Sequence, residues 1–370
     1  MFKIKKFSAL SISVLLSITT LFSCSTFSNS EKLSFVKEEK TQDLYRMKDL
    51  IIDNVKDSSS INDVFSKFEK KIKESNAIKE INSLYDSCLK EVHSLIPVKE
   101  EIDFTSLSEK EKASLLSSVD AYILRNDLAG LPISTTRTLN LNSTTYEQWE
   151  EFFGENGSKC QTPKDKYWDV KPFLSNKHFL KGLNHCIDKE LYKDEISGEG
   201  YYIDYSKSGY FNYDLDLSRK YFSIALDELD EYYKNVSTRP IKLKIEIAFG
   251  TREEKDEALF LKLKNSMETA FNDKSVSNGD YILEVNFWVG LYFTSVFPLK
   301  NYCGQFDLSY PKISSSHFIP YEFYKMLSSD LGISGHLTIN WSFDTSDVNK
   351  DSIVFDGYRY SYDTIAKALN

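Results

Sequence analysis

The sequence has none of the short catalytic signatures: GxSxG, HExxH, GxxxxGKS/T and GxGxxG are all missing from its 370 residues. Their absence removes the nucleophile elbow, the zinc-protease helix and the phosphate-cradling loops as starting points for a function. Cysteine and histidine are scarce at five each, and no two cysteines stand at CxxC spacing. A finger-type zinc site is thereby excluded, and nothing in the chain calls for a metal or another cofactor. Arginine is confined to Arg46, Arg125, Arg137, Arg219, Arg239, Arg252 and Arg359, and the formal net charge is −9. A nucleic-acid partner needs a basic footprint, and this chain has none. It also lacks internal repeats and low-complexity blocks. Its long run of apolar and small hydroxylic residues, 7–22, falls short of the roughly 20 residues a bilayer-crossing helix requires.

What is present begins at the N-terminus. Lys3, Lys5 and Lys6 precede the uncharged run, which closes on Leu21-Phe22-Ser23-Cys24. A positive start, an apolar middle and a small residue before the cut are the layout of a secretory signal. The ending resembles a bacterial lipobox: Leu21, Ser23 and Cys24 fit, and Phe22 is bulkier than the common pattern. Looser boxes of this kind occur in spirochaetes, and the chain resembles a surface lipoprotein of a Borrelia-like bacterium. The excess of Lys over Arg and the abundance of Ser, Asn, Ile, Phe and Tyr agree with that. The resemblance covers the leader and the composition only. It implies cleavage before Cys24, palmitate-type acyl chains on that thiol, and export to the outer membrane or cell surface rather than the inner membrane. Each buried CH₂ contributes about 0.8 kcal/mol and one chain is marginal, so several chains on one cysteine make a lasting anchor. Removing the three leader lysines takes the mature chain to about −12, which favours solubility at a crowded surface over adhesion to anionic lipid.

With 41% hydrophobic and 14% aromatic residues the chain can build real cores, so global disorder is excluded. The expected fold class is α+β, an N-terminal helical bundle followed by a mixed domain with a sheet in the last third. Residues 1–24 are read as the leader and 25–40, short and polar, as a tether. Over 41–128 a helical period runs through Leu44, Met47, Ile51 and Val55, then Ile61, Val64, Phe65, Phe68 and Ile72, then Ile78, Ile81, Tyr85, Cys88, Val92 and Leu95 as far as Pro97. Ser60 is positioned to cap the second helix, and Ser108 with Glu111 makes a capping box for a fourth. Together these pieces form a three- or four-helix bundle. Residues 129–239 are irregular, aromatic and acidic, and end in a helix that Asp216 can cap, with Phe222, Leu226, Leu229 and Tyr233 buried. In 240–370 a strand at 241–249, a helix carrying Leu259, Leu263, Met267 and Phe271, and a strand from Tyr281 imply a βαβ crossover or a strand pair flanking a helix. A short helix after Pro320, an alternating stretch at 337–343, a hairpin turning at Asp356-Gly357 and a last helical turn from Asp363 complete the domain.

Three groupings are candidates for chemistry. The segment 201–216 sets Tyr202, Asp204, Tyr205, Tyr213 and Asp214 together, flat faces for stacking and carboxylates for hydrogen bonds, as a sugar or peptide cleft uses. Asp204 and Asp214 could serve glycoside hydrolysis if they faced each other roughly 5 to 9 Å apart. The bland reading is aromatic packing with helix-capping aspartates. His178 and His185 share a helix face two turns apart, with Asp188 near, a spacing wider than metal sites prefer. Cys160 and Cys186 lie in one loop-rich segment and are the pair expected to bridge among three possible connectivities; with the two histidines they are also a weak Cys/His nucleophile grouping. The reading that follows is a lipid-anchored protein whose body engages a protein partner without catalysis. A hydrolase using 201–216 is the alternative.

Overall fold

The computed structural model describes residues 26–123, 130–132, 138–141, 170–192, 212–251, 254–291, 306–309 and 353–368. Helix α1 spans Asn29–Ile52, α2 Ser59–Glu74, α3 Ile78–Leu95 and α4 Glu109–Ile123. Most positions of the apolar period are buried: Leu44, Met47 and Ile51, then Ile61, Val64, Phe65, Phe68 and Ile72, then Ile81, Tyr85, Cys88 and Val92; Leu95, at the end of the third stripe, is exposed instead. The capping box before α4 is present, with Glu111 accepting from the Ser108 backbone at 2.8 Å and Glu111 N–H donating to the Ser108 hydroxyl at 3.4 Å. Ser58, not Ser60, stands at the N-cap of α2, and its side chain makes no capping bond.

The tether expected over 25–40 is corrected by α1, which is helical from Asn29. Ser28 and Glu31 form a capping box there. The charges that make this stretch look solvated, Lys32, Glu39 and Lys40, are buried. The period seen at Leu44 continues backwards through Lys40, Val36 and Lys32, so charged side chains take the slots of an apolar stripe. They do so because partners on other elements neutralise them.

A second core is built around a sheet ordered β1-β2-β5-β3-β4, with β1 Gly130–Pro132, β2 Thr138–Leu141, β3 Ile241–Thr251, β4 Tyr281–Leu291 and β5 Leu308–Ser309. Strands β3 and β4 are parallel in register, Ile241 opposite Tyr281 and Leu243 opposite Leu283. Helix α7, Glu254–Phe271, crosses between them. It follows two other helices of this core, α5 at Lys177–His185 and α6 at Leu215–Tyr233. The crossover is thus a βαβ unit, as parallel neighbours joined through a helix must be. A one-turn helix, α8 (Lys274–Ser277), ends at Asn278 with φ 51° and Gly279 with φ 89°, the left-handed pair that reverses the chain into β4. One sheet face, Ile241, Leu243, Ile245, Ile247, Leu283 and Val285, is buried with Leu263, Met267 and Phe271. The other face is polar, with Lys242 paired to Glu284 at 2.8 Å. Among the described strands β4 is an edge, and α7 with the residue that follows it satisfies it: Val285 N–H donates to Glu268 at 2.7 Å, and Leu283 N–H to Asn272 at 2.8 Å. Covering an edge in this way removes a template for pairing with another chain.

The C-terminal segment corrects the boundary at 240. The hairpin β6 (Ile353–Phe355) and β7 (Tyr358–Tyr360) turns at Asp356 and Gly357, both with positive φ, as a tight two-residue hairpin turn requires. With α9, Tyr362–Ala368, it packs into the helical bundle rather than against the sheet. Ile353, Val354, Phe355, Tyr360, Tyr362, Ile365 and Ala366 all belong to the bundle core. Gly357 N–H donates to the Asn54 carbonyl at 2.7 Å, and Arg359 N–H to that of Pro97 at 2.9 Å. The first core therefore contains both ends of the described chain. The expected elements at 320–331 and 337–343 lie outside the described residues.

Candidate functional site

Between the two cores lies a layer of buried charge. Helix α5 is held tightly on α6: a Cβ on Gly182 would fall 2.6 Å from the Phe222 ring, so only glycine permits the approach. The Ser218 hydroxyl donates to the Gly182 carbonyl at 2.7 Å. This places His178, on the first turn of α5, between α1 and α6. Its Nε2 lies 2.9 Å from Glu39 Oε2, and its Nδ1 lies 2.9 Å from Glu228 Oε2. A carboxylate offers only lone pairs, so an imidazole bonded to one on each side carries both protons. Asn82 on α3 and Asn176 at the cap of α5 donate to Glu228 at 2.6 and 2.9 Å. Lys181 donates to Glu39 at 2.6 Å and stands 3.7 Å from Asp43, which Lys40 meets at 3.5 Å. Three cations thus balance three carboxylates. His178 and Glu39 are 2% and 8% exposed.

Burial works against each charge in this layer, and the partners overcome it. For His178, desolvation lowers the pKa, but the Glu228 and Glu39 carboxylates carry it above the ordinary imidazole value. For Glu39, desolvation raises the pKa, and Lys181 and His178 bring it well below the usual carboxylate range. Glu228 follows the same logic, with His178, Asn176 and Asn82 lowering it. Burial raises the Tyr221 phenol, and its hydrogen bond to Glu39 adds to that. A buried ion pair is a weak source of net stability but a strict geometric condition, because either half alone is costly. The cluster therefore fixes how α1 docks on α5 and α6. Outside it, Lys32 extends the same seam, reaching Asp227 at 2.7 Å and the Ser223 carbonyl at 3.3 Å.

The expected site residues fall as follows. His178 and His185 do share a face of α5, and that face holds the Tyr221 ring, stacked 5.9 Å from one imidazole and 5.6 Å from the other. His185 donates from Nδ1 to the Asn212 carbonyl at 2.8 Å, and Asp188 accepts from Glu190 N–H at 3.2 Å. No group of metal ligands occurs among the described residues. Asp214, not Asp216, caps α6, its carboxylate accepting from Leu217 N–H at 2.9 Å; Tyr213 beside it is half exposed. Tyr202, Asp204 and Tyr205 lie outside the described residues, as do Cys24 and Cys160. Cys186 corrects the expected bridge: it is a buried free thiol whose Sγ donates to the Leu183 carbonyl at 3.1 Å. Burial pushes that thiol up to about 12, which makes it inert rather than nucleophilic. Nearby, burial pushes the Lys189 amine down to about 7; it donates to the Asn184 carbonyl at 3.0 Å, closing the end of α5. Glu39, Lys181, Tyr221 and Glu228 were missed by the sequence reading. The available signal was the charged pair at Glu39 and Lys40 inside a continuing helical period.

A pH dependence follows. His178 titrates higher in the folded state, so its contribution is complete below the unfolded value near 6.5 and is lost as pH rises through the folded one. Glu39 and Glu228 titrate lower, so theirs is complete above about 4.5 and is lost on acidification. Lys189 and His185, both lowered by burial, act in the opposite sense: folding gains as pH rises from the folded to the unfolded value of each. The difference in urea midpoint between the wild type and His178→Gln, measured from pH 4 to 9, isolates the imidazole. That difference should be largest between about 4.5 and 6.5 and shrink toward pH 9. A constant gap would mean that His178 does not carry the charge.

No family model, curated protein or solved structure matches this chain.

Proposed function

We propose that this is an exported, lipid-anchored envelope protein of a bacterial surface, held at the outer membrane or cell surface, whose body binds another protein rather than turning over a substrate. The observation that carries the reading is the leader, Lys3 to Cys24, with its lipobox-like close. No helix among the described residues is long and apolar enough to cross a membrane. Among the described residues, the dense cluster of ionisable side chains around His178 is largely closed to solvent and engaged in joining two cores, which fits docking better than turnover. A surface suited to a protein partner lies beside the hairpin, where Leu95 and Val98 are exposed and Lys56 and Lys99 flank the Tyr358 ring at 5.5 and 5.0 Å. Aromatic side chains of this kind are enriched in protein interfaces. The hydrolase alternative gains nothing from Asp214, whose carboxylate is spent on a helix cap.

The test is Cys24→Ser. The wild type should take up labelled palmitate and partition into detergent, and the variant should lose the label and move to the aqueous phase by roughly tenfold or more, since an anchor of several chains is gone. Protease added to intact cells should cut the wild type. A Cys24→Ser product that stays membrane-bound with its leader uncut would sink the reading, and an uncut wild type would place the body inside the envelope.

A further inference from the structure

We infer that the N-terminal end of α1 is the face this protein sets against a lipid surface, the body resting on the headgroups on a stem of only three residues. The inference rests on the lipid-anchor reading and goes beyond it in assigning which end of the molecule meets the bilayer.

Its basis is how early the chain becomes fixed. The Lys220 ammonium lies 5.4 Å from the centre of the Phe27 ring and 5.1 Å from that of Phe35, clamping residue 27 onto α6. Ser28 and Glu31 then close the capping box, Ser28 N–H donating to Glu31 at 2.8 Å. One turn on, buried Lys32 is paired with Asp227 at 2.7 Å. Unwinding this turn to lengthen the stem would break the bonds that buried Lys32 makes to half-exposed Asp227 and to the Ser223 carbonyl, so the start of the helix resists being drawn out. From Cys24 to Phe27 there are three residue steps, and an extended chain covers at most about 3.6 Å in each. The acylated residue therefore stands within roughly 11 Å of the Phe27 backbone.

The chemistry of this end says how it meets lipid. Ser28, Asn29, Ser30 and Glu31 are exposed there. A cleft of about 530 Å³ opens beside them, lined by Ser30, Leu33, Asn76, Ile78, Asp227 and Asp230. Among the described residues no exposed apolar band surrounds it, so the end rests among headgroups and does not enter the acyl layer. The outward side of α1, with exposed Glu38, Gln42, Arg46 and Asp49, offers a bilayer one half-exposed ring, Tyr45, whose hydroxyl is held by Glu69 at 2.6 Å, and no continuous apolar band among the described residues. With 24 residues, α1 is about 36 Å long. Its far end meets the hairpin at Asn54 and Gly357. The patch at Leu95, Val98 and Tyr358 is thereby carried away from the membrane, where a partner can reach it.

The test uses the full acylated chain in phosphatidylcholine vesicles containing a lipid with a photoreactive diazirine in its headgroup. Cross-links mapped by mass spectrometry should fall on Phe27–Glu31 and Lys220, about fivefold above those on Asn54–Ser58 and Asp356–Gly357. The same lipid with its diazirine deep in the acyl chain should give no such enrichment. Inserting about twelve Gly/Ser residues between Thr26 and Phe27 adds a reach of about 20 Å and should erase the contrast. Equal labelling of both ends in the uninserted chain, with palmitate on Cys24 and the protein in the membrane fraction, would overturn the inference alone. Absence of palmitate from Cys24 would instead overturn the anchor reading and this inference with it.

Discussion

Replacing His178 with alanine is expected to cost about 3–5 kcal/mol, because it leaves two buried carboxylates facing each other with no cation between them. The structure supplies the reason for so large an effect at one residue. Glu39 comes from α1 and Glu228 from α6, and the imidazole is the single group that touches both, at 2.9 Å each. Water cannot easily replace it, since His178 is 2% exposed and Glu39 8%. Urea unfolding near pH 6, where the imidazolium is present, should show the loss as a lower midpoint. The two residues should also be coupled. Glu39→Gln combined with His178→Ala should cost less than the sum of the single changes, by about 1 kcal/mol or more. A loss below about 1 kcal/mol would mean that the seam admits water and that the clasp does not govern docking.

The second large effect concerns the chain's end. A protein stopped at Lys350 is expected to lose the N-terminal bundle while keeping the sheet. Ile353, Phe355, Tyr360, Tyr362 and Ile365 fill the core formed by α1 to α4. Removing one large buried side chain costs about 3–5 kcal/mol, and a domain's whole stability is about 5–15 kcal/mol. Several such losses in one core exceed what it has. Amide hydrogen exchange reads the outcome residue by residue. Ile51 and Val92 should become unprotected, while Leu243 and Val285, in the second core, should stay protected. Uniform loss would show that the cores unfold as one unit; an unchanged bundle would show that the hairpin is an appendage. Tyr360→Ala in the full chain should give a milder version, lowering the bundle's stability by about 3–5 kcal/mol without touching β3 and β4.

Local signals read well where a side chain's period and its neighbours in sequence settled its environment. Stripes through α2 and α3, the Ser108–Glu111 box, the alternation of β3 and β4, and the Asp356-Gly357 turn all formed as their residues imply. The stretch 25–40 did not, because Lys32, Glu39 and Lys40 carry charges that sequence assigns to water. Their partners are Asp227, His178, Lys181 and Asp43, and all but Asp43 lie more than 130 positions away in the chain. Asp214 took the cap foreseen for Asp216, a shift of two residues that the aromatic-acidic run around it leaves open. Cys186 illustrates the same limit in reverse. Its loop-rich surroundings pointed to a bridge, and close packing of α5 on α6 buried it as a plain thiol.

By itself, then, the sequence determined the class of fold, because apolar period and turn chemistry act within a few residues and are written where they operate. It also carried the leader on which the proposed address depends. Tertiary structure alone decided that the last residues complete the first core, that α1 begins at Asn29, and that a protonated imidazole holds the two halves together. Those outcomes depend on which distant charges meet out of water, and the free energy of a buried charge is set by its partners rather than by its place in the chain.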